Sequence, residues 1–447
     1  FGVEPCYPFG YGLSYTDFSM LGTGVKVDGT KICIDALVTN VGANYSGKEV
    51  AQVYVSSPAG KLDKEYQSLA AFAKTKVLAP AESEAITLCF DMAEIASYDE
   101  ETASYVLDAG EYIVRLGNSS RNTMPVAVVT LDERVVVSKH CNVCPIVEKF
   151  DELKSEARVT EKMNLSVPRV SVKAADFETI TYTYETPEIY SDEKVDAFMN
   201  TLTLKEMVEI VVGIGMFGGE TRFNMPGSVG NTTSKFWDRG LANVTLCDGP
   251  AGLRITKRSV VMKDGSVKPV ELPISVFEMF PDFVQKMLKA DPSQGTVIYQ
   301  YTTAFPVTAA LAQSWNVELL EEVGKAIFVE MKEYGCTFWL APAVNIHRNP
   351  LCGRNFEYVS EDPFLTGEIA AALTKGIQQE EGYYVTVKHF ACNNMEDNRN
   401  KVSSNLSERA LREIYLRGFE RAVRKGNAKG IMTSYNRINS VYAPNSH

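Results

Sequence analysis

The sequence predicts a multidomain β plus α/β protein in which a β-sandwich precedes a (β/α) barrel. Residues 1–135 consist of short β-rich runs separated by turn signals, without helical periodicity. From residue 191 to residue 447, apolar strand-like runs alternate with amphipathic helical patterns, which is typical of a sheet with parallel strands. The charged and weakly periodic stretch 136–190 is therefore expected to be a linker between two domains.

The N-terminal runs alternate as half-buried strands do. In KICIDALVTNVG the residues Ile32, Ile34, Ala36 and Val38 share one face at a period of two. Comparable runs follow as EVAQVYVSSP, AITLCF, GEYIVRLGN and PVAVVTL. Their number and spacing predict an antiparallel sandwich of immunoglobulin or fibronectin type III shape.

Three helices of the second region can be predicted from their caps and apolar stripes. Each begins after a polar cap residue, and its apolar residues recur three or four positions apart, which predicts a face packed on the core. An earlier helix has a capping-box candidate in Thr203 and Glu206. The three caps are Asn316, Asp362 and Ser407. The stripes are Leu319, Val323, Ile327 and Met331 in the first helix, Leu365, Ile369, Leu373 and Ile377 in the second, and Leu411, Ile414 and Phe419 in the third.

A long segment between Ile255 and Tyr301 interrupts the first strand–helix repeat. It is too long for an ordinary βα loop, and segments of this length are usually lids or surface insertions. We expect it to shape the entrance to the site.

Composition and motifs exclude several classes of function. The chain has 447 residues, 45% of them hydrophobic, and a net charge of −11 with a pI near 5.2, which argues against nucleic acid binding. No apolar run reaches the roughly 18 residues of a membrane helix, so no membrane partner is expected. No GxGxxG or phosphate-binding loop is present, and Cys141 and Cys144 form a single CxxC, so neither a cofactor nor a metal is expected.

The nine cysteines are scattered through apparent strands, as Cys33 and Cys89 are, rather than spaced as a framework. They are expected to be mostly buried thiols in a reducing compartment, which favours a cytoplasmic location.

Four strand-like runs end in polar clusters, which are NVTLCDGPAGLR, TFWLAPAVNIHR, YYVTVKHFACNNMEDNR and GIMTSYNRIN. Barrel enzymes place their chemistry at the carboxyl ends of the strands, so we expect these polar side chains to gather on one face. Many donors with few carboxylates suit a ligand covered in hydroxyl groups. The candidate residues are Asp248, Arg254, His347, Arg354, Lys388, His389, Arg399 and Tyr435.

Several of these residues also have an ordinary structural explanation. Asp248 could belong to a turn at Asp-Gly-Pro, and Lys388 could be a surface charge. His347 could be a hydrogen-bonded interior histidine as readily as a functional one. Glu357 and Glu361 are assigned no chemistry.

Five longer motifs, LCDGPAGLR, TAFPVTAALAQSWN, GRNFEYVSEDPFLTG, VKHFACNNMEDNR and MTSYNRIN, resemble in the same order the barrel motifs of glycoside hydrolase family 3, the β-glucosidases and β-xylosidases. PFGYGLSYTDF resembles the entry to that family's fibronectin type III-like domain. The resemblance implies a fibronectin type III-like β-sandwich followed by a (β/α)8 TIM-like barrel. In most of the family the barrel comes first, so the chain resembles a rearranged bacterial member whose α/β sandwich domain would lie upstream.

The resemblance also implies residue roles. Asp248 resembles the carboxylate that binds hydroxyl groups of the terminal sugar, and Lys388 and His389 resemble the pair that binds adjacent ring hydroxyls. The other matching positions are Arg354 and Arg399, which resemble arginines of the same subsite, and Arg254, Met432 and Tyr435, which resemble pocket positions beside the nucleophile.

Both catalytic carboxylates of the family are expected outside this chain. The family's nucleophile is an aspartate in an (S/T)DW motif on the strand after SYN, and its general acid is usually a glutamate of the α/β sandwich domain. Retaining hydrolysis needs both carboxyl groups about 5 to 5.5 Å apart. The barrel is therefore expected to be incomplete, and the chain alone is expected to be inactive.

The resemblance implies a part of a retaining β-glycosidase of carbohydrate metabolism and polysaccharide degradation. A β-glucosidase that removes terminal non-reducing β-D-glucosyl residues from β-glucosides or cello-oligosaccharides is the favoured activity. A β-xylosidase and a catalytically silent sugar-binding barrel stay open as alternatives. The upstream sandwich domain is an expected partner, and the sequence is compatible with an oligomer.

Overall fold

A region built of mainly antiparallel β-sheets precedes a region in which strands and helices alternate. The structure, a computed structural model, describes residues 4–151, 166–183, 192–215, 225–271 and 280–446. The predicted combination of a β domain and an α/β domain agrees with this architecture.

The N-terminal region forms three sheets around one core. The sheets have the orders β1-β2-β5, β12-β10-β7-β6 and β11-β9-β8-β3-β4. Ile32, Ile34, Ala36 and Val38 are buried in the core, as their alternation predicted. The strands are β1 (Phe18–Asp28), β2 (Lys31–Asn40), β3 (Val50–Ser56), β4 (Ser68–Lys74), β5 (Ser83–Asp91), β6 (Ser97–Asp99), β7 (Ser104–Leu107), β8 (Gly110–Ser119), β9 (Asn122–Leu131), β10 (Val135–Lys139), β11 (Arg169–Val172) and β12 (Ile180–Thr181).

The stretch 136–190 differs from the predicted linker, because it contributes strands to the N-terminal sheets. β10 pairs antiparallel with β7, and β11 and β12 add parallel strands beside β9 and β10. Val172 is buried in the N-terminal core, which gives β11 a reason to dock there. The charged residues 152–165 and 184–190 of this stretch lie outside the described residues.

The second region carries a mixed sheet of order β13-β14-β15-β19-β20-β22, in which β15, β19, β20 and β22 run parallel. Helices α5, α6 and α8 lie between successive parallel strands in the chain. The strands are β13 (Ile214–Gly215), β14 (Gly230–Asn231), β15 (Thr245–Cys247), β16 (Arg258–Met262), β17 (Val267–Pro269), β18 (Gly295–Tyr299), β19 (Phe338–Trp339), β20 (Tyr384–Phe390), β21 (Ser403–Ser404), β22 (Gly430–Thr433), β23 (Arg437–Ile438) and β24 (Val441–Tyr442). The helices are α1 (Glu193–Met199), α2 (Leu204–Val212), α3 (Asp282–Leu288), α4 (Thr308–Ala312), α5 (Val317–Tyr334), α6 (Pro363–Ile377), α7 (Glu408–Ala410) and α8 (Arg417–Arg424).

Short turns of other helix types complete the secondary structure of the described residues. A π-helical turn occupies Leu411–Tyr415, between α7 and α8. The 3-10 helices are Met92–Ile95, Ala174–Asp176, Ser234–Arg239, Pro292–Gln294 and Ala443–Asn445.

The predicted helix caps are confirmed. Asn316 Oδ1 accepts from Leu319 N at 3.1 Å at the start of α5, and Asp362 Oδ1 accepts from Leu365 N at 2.7 Å at the start of α6. Ser407 caps α7, and the Thr203–Glu206 capping box begins α2. These features depend on residues three positions apart, so they can be recognised without tertiary information.

Two residues of the predicted apolar stripes are exposed. Leu319, in the first turn of α5, is 42% exposed. Ile414 is 37% exposed, whereas Leu411 and Phe419 are buried as expected. Ile414 lies within the π-helical turn, whose wider winding places it off the α-helical stripe that the sequence pattern assumes.

The segment between Ile255 and Tyr301 forms a small subdomain. β17, β16 and β18 make a three-stranded antiparallel sheet, and α3 lies between β17 and β18 in the chain. Residues 272–279 lie outside the described part of this segment. The prediction that the segment shapes the entrance to the site remains a prediction.

The expectation of reduced thiols is wrong for Cys33 and Cys89, which form a disulfide. They face each other in register on the neighbouring strands β2 and β5, which brings their sulfur atoms together. The other seven cysteines are free, and five of them are buried.

The described ranges contain neither a candidate metal cluster nor a candidate membrane helix. No three His, Cys, Asp or Glu side chains lie together in a way that could hold a metal ion. None of the helices there combines the length and apolar character that crossing a membrane requires.

Candidate functional site

The carboxyl ends of two parallel strands bring Asp248 and Lys388 into contact. Asp248 is the first residue after β15, and Lys388 lies near the end of β20, with β19 between the two strands. Lys388 Nζ is 3.0 Å from Asp248 Oδ1. The Lys388 side chain is only 3% exposed, whereas that of Asp248 is 24% exposed. The carboxylate therefore stands at the opening of the site and the ammonium group beneath it.

Glu357 is the functional candidate that the sequence analysis missed. Its carboxylate is 3% exposed, and its Oε1 accepts from Arg354 Nε at 2.5 Å. Its Oε2 lies 3.4 Å from Lys388 Nζ. The buried carboxylate thus sits between two cations of the site. The spacing of Arg354 and Glu357 within GRNFE, three residues apart, was the available signal, but the contact with Lys388 could not be read from local sequence.

Arg254 forms an ion pair with Asp248 on the open side of the site. Burial alone would raise the pKa of Asp248, but the positive charges of Lys388 and Arg254 outweigh burial and lower it below its usual value. Burial alone would lower the pKa of Arg354, and the hydrogen bond to Glu357 raises it instead. The partners of Asp248 therefore keep its carboxylate ionised, and Glu357 keeps the guanidinium of Arg354 protonated.

His389 is buried, and its backbone is hydrogen-bonded to the side chain of Asn345. Its N–H donates to Asn345 Oδ1, and its carbonyl oxygen accepts from Asn345 Nδ2, each at 2.9 Å. Burial, together with the positive charges of Arg354 and Lys388, lowers the pKa of His389 to about 2. The imidazole is therefore neutral at physiological pH, with one ring nitrogen as a donor and the other as an acceptor. Its Nδ1 lies 3.5 Å from the hydroxyl of Tyr358.

A second group of polar residues lies next to His389 and Tyr358, and the side-chain amide of Asn393 links the two groups. Asn393 Nδ2 donates to the Tyr358 hydroxyl at 2.8 Å and to Glu396 Oε1 at 2.9 Å. Arg399 donates to Glu396 Oε2 at 2.7 Å. The guanidinium of Arg399 also stacks 4.7 Å above the ring of Tyr435. A continuous polar network therefore runs from His389 to the outer residues.

The two candidates on β22 lie at different depths. Met432 is partly buried and pairs in register with Lys388 on the neighbouring strand β20. Tyr435 follows the strand and is 54% exposed. The first can therefore contact the floor of the site, and the second can form part of its rim.

His347 is bonded to the protein rather than directed at a ligand. Its Nε2 lies 2.9 Å from the carbonyl oxygen of Asn355, and burial lowers the pKa of its imidazole. Of its two interpretations, the geometry favours the interior histidine.

Comparisons with known proteins match both regions of the chain. Residues 280–447 match the glycosyl hydrolase family 3 N terminal domain, and residues 49–120 match a fibronectin type III-like domain. Beta-glucosidase A of Butyrivibrio fibrisolvens is 34% identical over 99% of this chain and 53% of its own length. The Beta-glucosidase of Ruminococcus albus is 34% identical over 98% of this chain and 43% of its own length.

A solved structure shows the same relationship in three dimensions. The beta-glucosidase from Paenibacillus barengoltzii superposes with a TM-score of 0.75 at 34% identity, covering 98% of this chain and 46% of that protein. The chain thus spans about half the length of the relatives that it matches.

Proposed function

We propose that this chain, a member of glycosyl hydrolase family 3, supplies the glucosyl-binding site of a retaining β-glucosidase. The whole protein would hydrolyse terminal non-reducing β-D-glucosyl residues of β-glucosides or cello-oligosaccharides. The names of the relatives support this activity and substrate class.

One observation carries the assignment of the site: Asp248, Lys388, Glu357 and Arg354 form a linked row of alternating charges at the carboxyl-end face of the parallel strands. Neighbouring hydroxyl groups of a sugar each need an acceptor for one hydrogen and a donor for the oxygen lone pairs. A carboxylate beside an ammonium group provides both, and hydrogen bonds to charged groups are the strong ones.

The remaining residues have narrower roles in the proposal. Neutral His389 would offer a ring nitrogen to an adjacent hydroxyl beside Lys388. Arg254 would hold Asp248 at the open side, and Arg399 with Tyr435 would form the rim. Met432 would contribute apolar surface on the floor of the site.

We assign neither Asp248 nor Glu357 to the catalytic carboxyl pair. Asp248 is held by two cations, which keep it ionised and oriented as an acceptor. Glu357 is almost completely buried between Arg354 and Lys388, where it can support neighbours but has little access to a glycosidic bond. Both residues suit binding and orientation, and the nucleophile and general acid are proposed to be carboxylates outside this cluster.

The proposal extends to the finer architecture and the location. The strand–helix–strand connections from β15 to β22 support part of a (β/α)8 barrel within 191–447, after a fibronectin type III-like domain.

The free cysteines support a reducing, cytoplasmic setting, and the Cys33–Cys89 disulfide argues against it. Thiol titration of protein denatured directly from cells would decide between the two, because a cytoplasmic protein should give all nine thiols.

Calorimetric titration with glucose tests the proposed site. Lys388→Met keeps the side-chain length and removes the ammonium group, so we expect glucose affinity to fall about 10- to 100-fold, the loss of one charged hydrogen bond. Lys332→Met is the matched control, because Lys332 is exposed and pairs with Glu380 rather than with a residue of the site. Equal affinity in the wild type and Lys388→Met would refute the assignment.

Two further measurements test the substrate and the role of Lys388. Xylose binding as tight as glucose binding would point to a β-xylosidase. In the whole protein, an unchanged kcat/KM for an aryl β-glucoside after the Lys388 substitution would show that Lys388 plays no part in the reaction.

A further inference from the structure

An aromatic cluster joins the N-terminal domain to the α/β domain around Trp315. Trp315 lies between α4 and α5 and is buried. Its ring is 5.3 Å from that of Phe9 and 5.1 Å from that of Phe72, which meets it edge-on at 81°. Both phenylalanines belong to the N-terminal domain, and Phe72 lies on β4. Such edge contacts stabilise beyond the apolar area that they bury, so the ring of Trp315 is fixed from the neighbouring domain.

The helix next to Trp315 contacts both loops of the candidate site. In α4, Ala309 N donates to the carbonyl oxygen of Phe356 at 3.2 Å, and Phe356 directly precedes Glu357. Thr308 Oγ1 donates to the carbonyl oxygen of Pro250 at 3.3 Å, two residues after Asp248. One short helix thus bridges the loop that carries Asp248 and the loop that carries Glu357.

This helix depends on its surroundings for its stability. It has five residues, and Val307 at its N-cap position offers no side-chain hydrogen bond. Isolated helices of this length do not form in water, so tertiary packing must hold α4 in place. Trp315, three residues after the end of α4, is the large buried side chain closest to it in the chain, and the N-terminal domain holds that side chain.

We propose that Trp315 is a positioning residue, and that through it the N-terminal domain helps to set the geometry of the sugar site. Phe9 and Phe72 fix Trp315, Trp315 fixes α4, and α4 holds the loops of Asp248 and Glu357 at the spacing that Lys388 bridges. The consequence for sugar binding rests on the proposed function, whereas the mechanical connection does not.

A second contact between the domains supports the same loop. Val359, two residues after Glu357, is fully buried in one cluster with Tyr54 and Leu69 of the N-terminal domain. Phe72 also meets Phe364, in the first turn of α6, at 6.2 Å and 84°. The loop that follows Glu357 is therefore backed by the N-terminal domain at Val359 and at the start of α6.

Hydrogen exchange provides a test that needs no ligand. Phe72→Ala removes one of the two N-terminal rings that contact Trp315, without altering the α/β domain itself. We expect the amide of Ala309 to exchange about ten-fold faster or more, because its bond to Phe356 opens more often. The amide of Val114, in the core of the N-terminal domain, and that of Val387 in β20 should keep their wild-type rates.

Three further variants complete the design. Phe72→Leu retains apolar volume and should restore most of the protection at Ala309. Phe9→Ala removes the other N-terminal ring that contacts Trp315 and should also speed exchange at Ala309, so it serves as the test variant if Phe72→Ala does not fold. Glu94→Gln removes an ion pair with Arg421 in the same domain interface, 2.6 Å long, but does not touch Trp315. It should leave Ala309 exchange unchanged.

The functional readout is the affinity for glucose, which we expect to fall about ten-fold in Phe72→Ala and to recover in Phe72→Leu. Wild-type exchange at Ala309 in Phe72→Ala would overturn the proposal, as would equal effects of Phe72→Ala and Glu94→Gln. If the wild-type chain does not bind glucose but Ala309 exchange responds as described, the proposed function fails and the positioning role stands.

Discussion

Replacing Lys388 by methionine should destabilise the α/β domain strongly, because Glu357 would lose one of its two cationic partners in a buried place. Both side chains are only 3% exposed, and their charged atoms are 3.4 Å apart. Removing one partner of a buried ion pair leaves an uncompensated charge and costs about 3–5 kcal/mol. Asp248 adds little to this cost because it is partly open to water and keeps Arg254.

A double-mutant cycle with Glu357→Gln isolates the interaction. The glutamine has nearly the same shape and no charge, so the double variant no longer buries an unpaired carboxylate beside methionine. We expect the loss of stability in the double variant to be smaller than the sum of the single losses by about 1–3 kcal/mol. Chemical unfolding by urea, followed through tryptophan fluorescence, to which the buried Trp315 and Trp339 contribute, measures each free energy of unfolding.

The control for this cycle is an ion pair at the surface. Lys332 and Glu380 lie 2.7 Å apart and are each about half exposed, so the corresponding cycle should give no more than about 1 kcal/mol. If the losses for Lys388→Met and Glu357→Gln simply add, the two groups do not interact energetically. The account of the site as a linked row of charges would then be wrong.

Three further predictions follow from the geometry. Glucose affinity should be constant between about pH 5 and pH 8 by calorimetry, because the pKa of His389, near 2, keeps it neutral and the lowered pKa of Asp248 keeps it ionised; a step near pH 6.5 would contradict this. Ser407→Ala should lower the free energy of unfolding by about 1 kcal/mol and Ser407→Asp should not, because only the alanine loses the capping oxygen. Thermal unfolding should show that Leu411→Lys is much more destabilising than Ile414→Lys, since Leu411 is buried and Ile414 is 37% exposed. Equal losses of stability would indicate that Ile414 is buried on the same α-helical face as Leu411.

The sequence was sufficient wherever a structural feature depends on near neighbours. Asn316 and Asp362 could be recognised as caps because a cap and its amide partner are three residues apart. The strand-end position of Lys388 followed from an apolar run that stops at a charged residue. Ile414 was misplaced because periodicity alone assumes α-helical winding and cannot reveal a π turn.

Glu357 and the strands of the predicted linker could not be found in this way. Glu357 gains its importance from Lys388, 31 positions further along the chain, and only the fold brings the two together. In the same way, β11 is a short run within a charged segment, and its partner β9 lies some 40 residues earlier. Local sequence contains the residues of such contacts but not the contacts themselves.

The pairing of charges in the proposed site favours a neutral sugar over an anion. Arg254 is paired with Asp248, Arg354 is paired with Glu357, and Lys388 lies between the two carboxylates. A phosphate would have to displace a carboxylate from a cation, and it would then face that carboxylate at short range. A hydroxyl group can accept from the cation while donating to the carboxylate, so it enters without breaking any pair. In the proposed site a sugar would therefore enter a network whose charges are already balanced, and its specificity would arise from the positions of the hydroxyl groups.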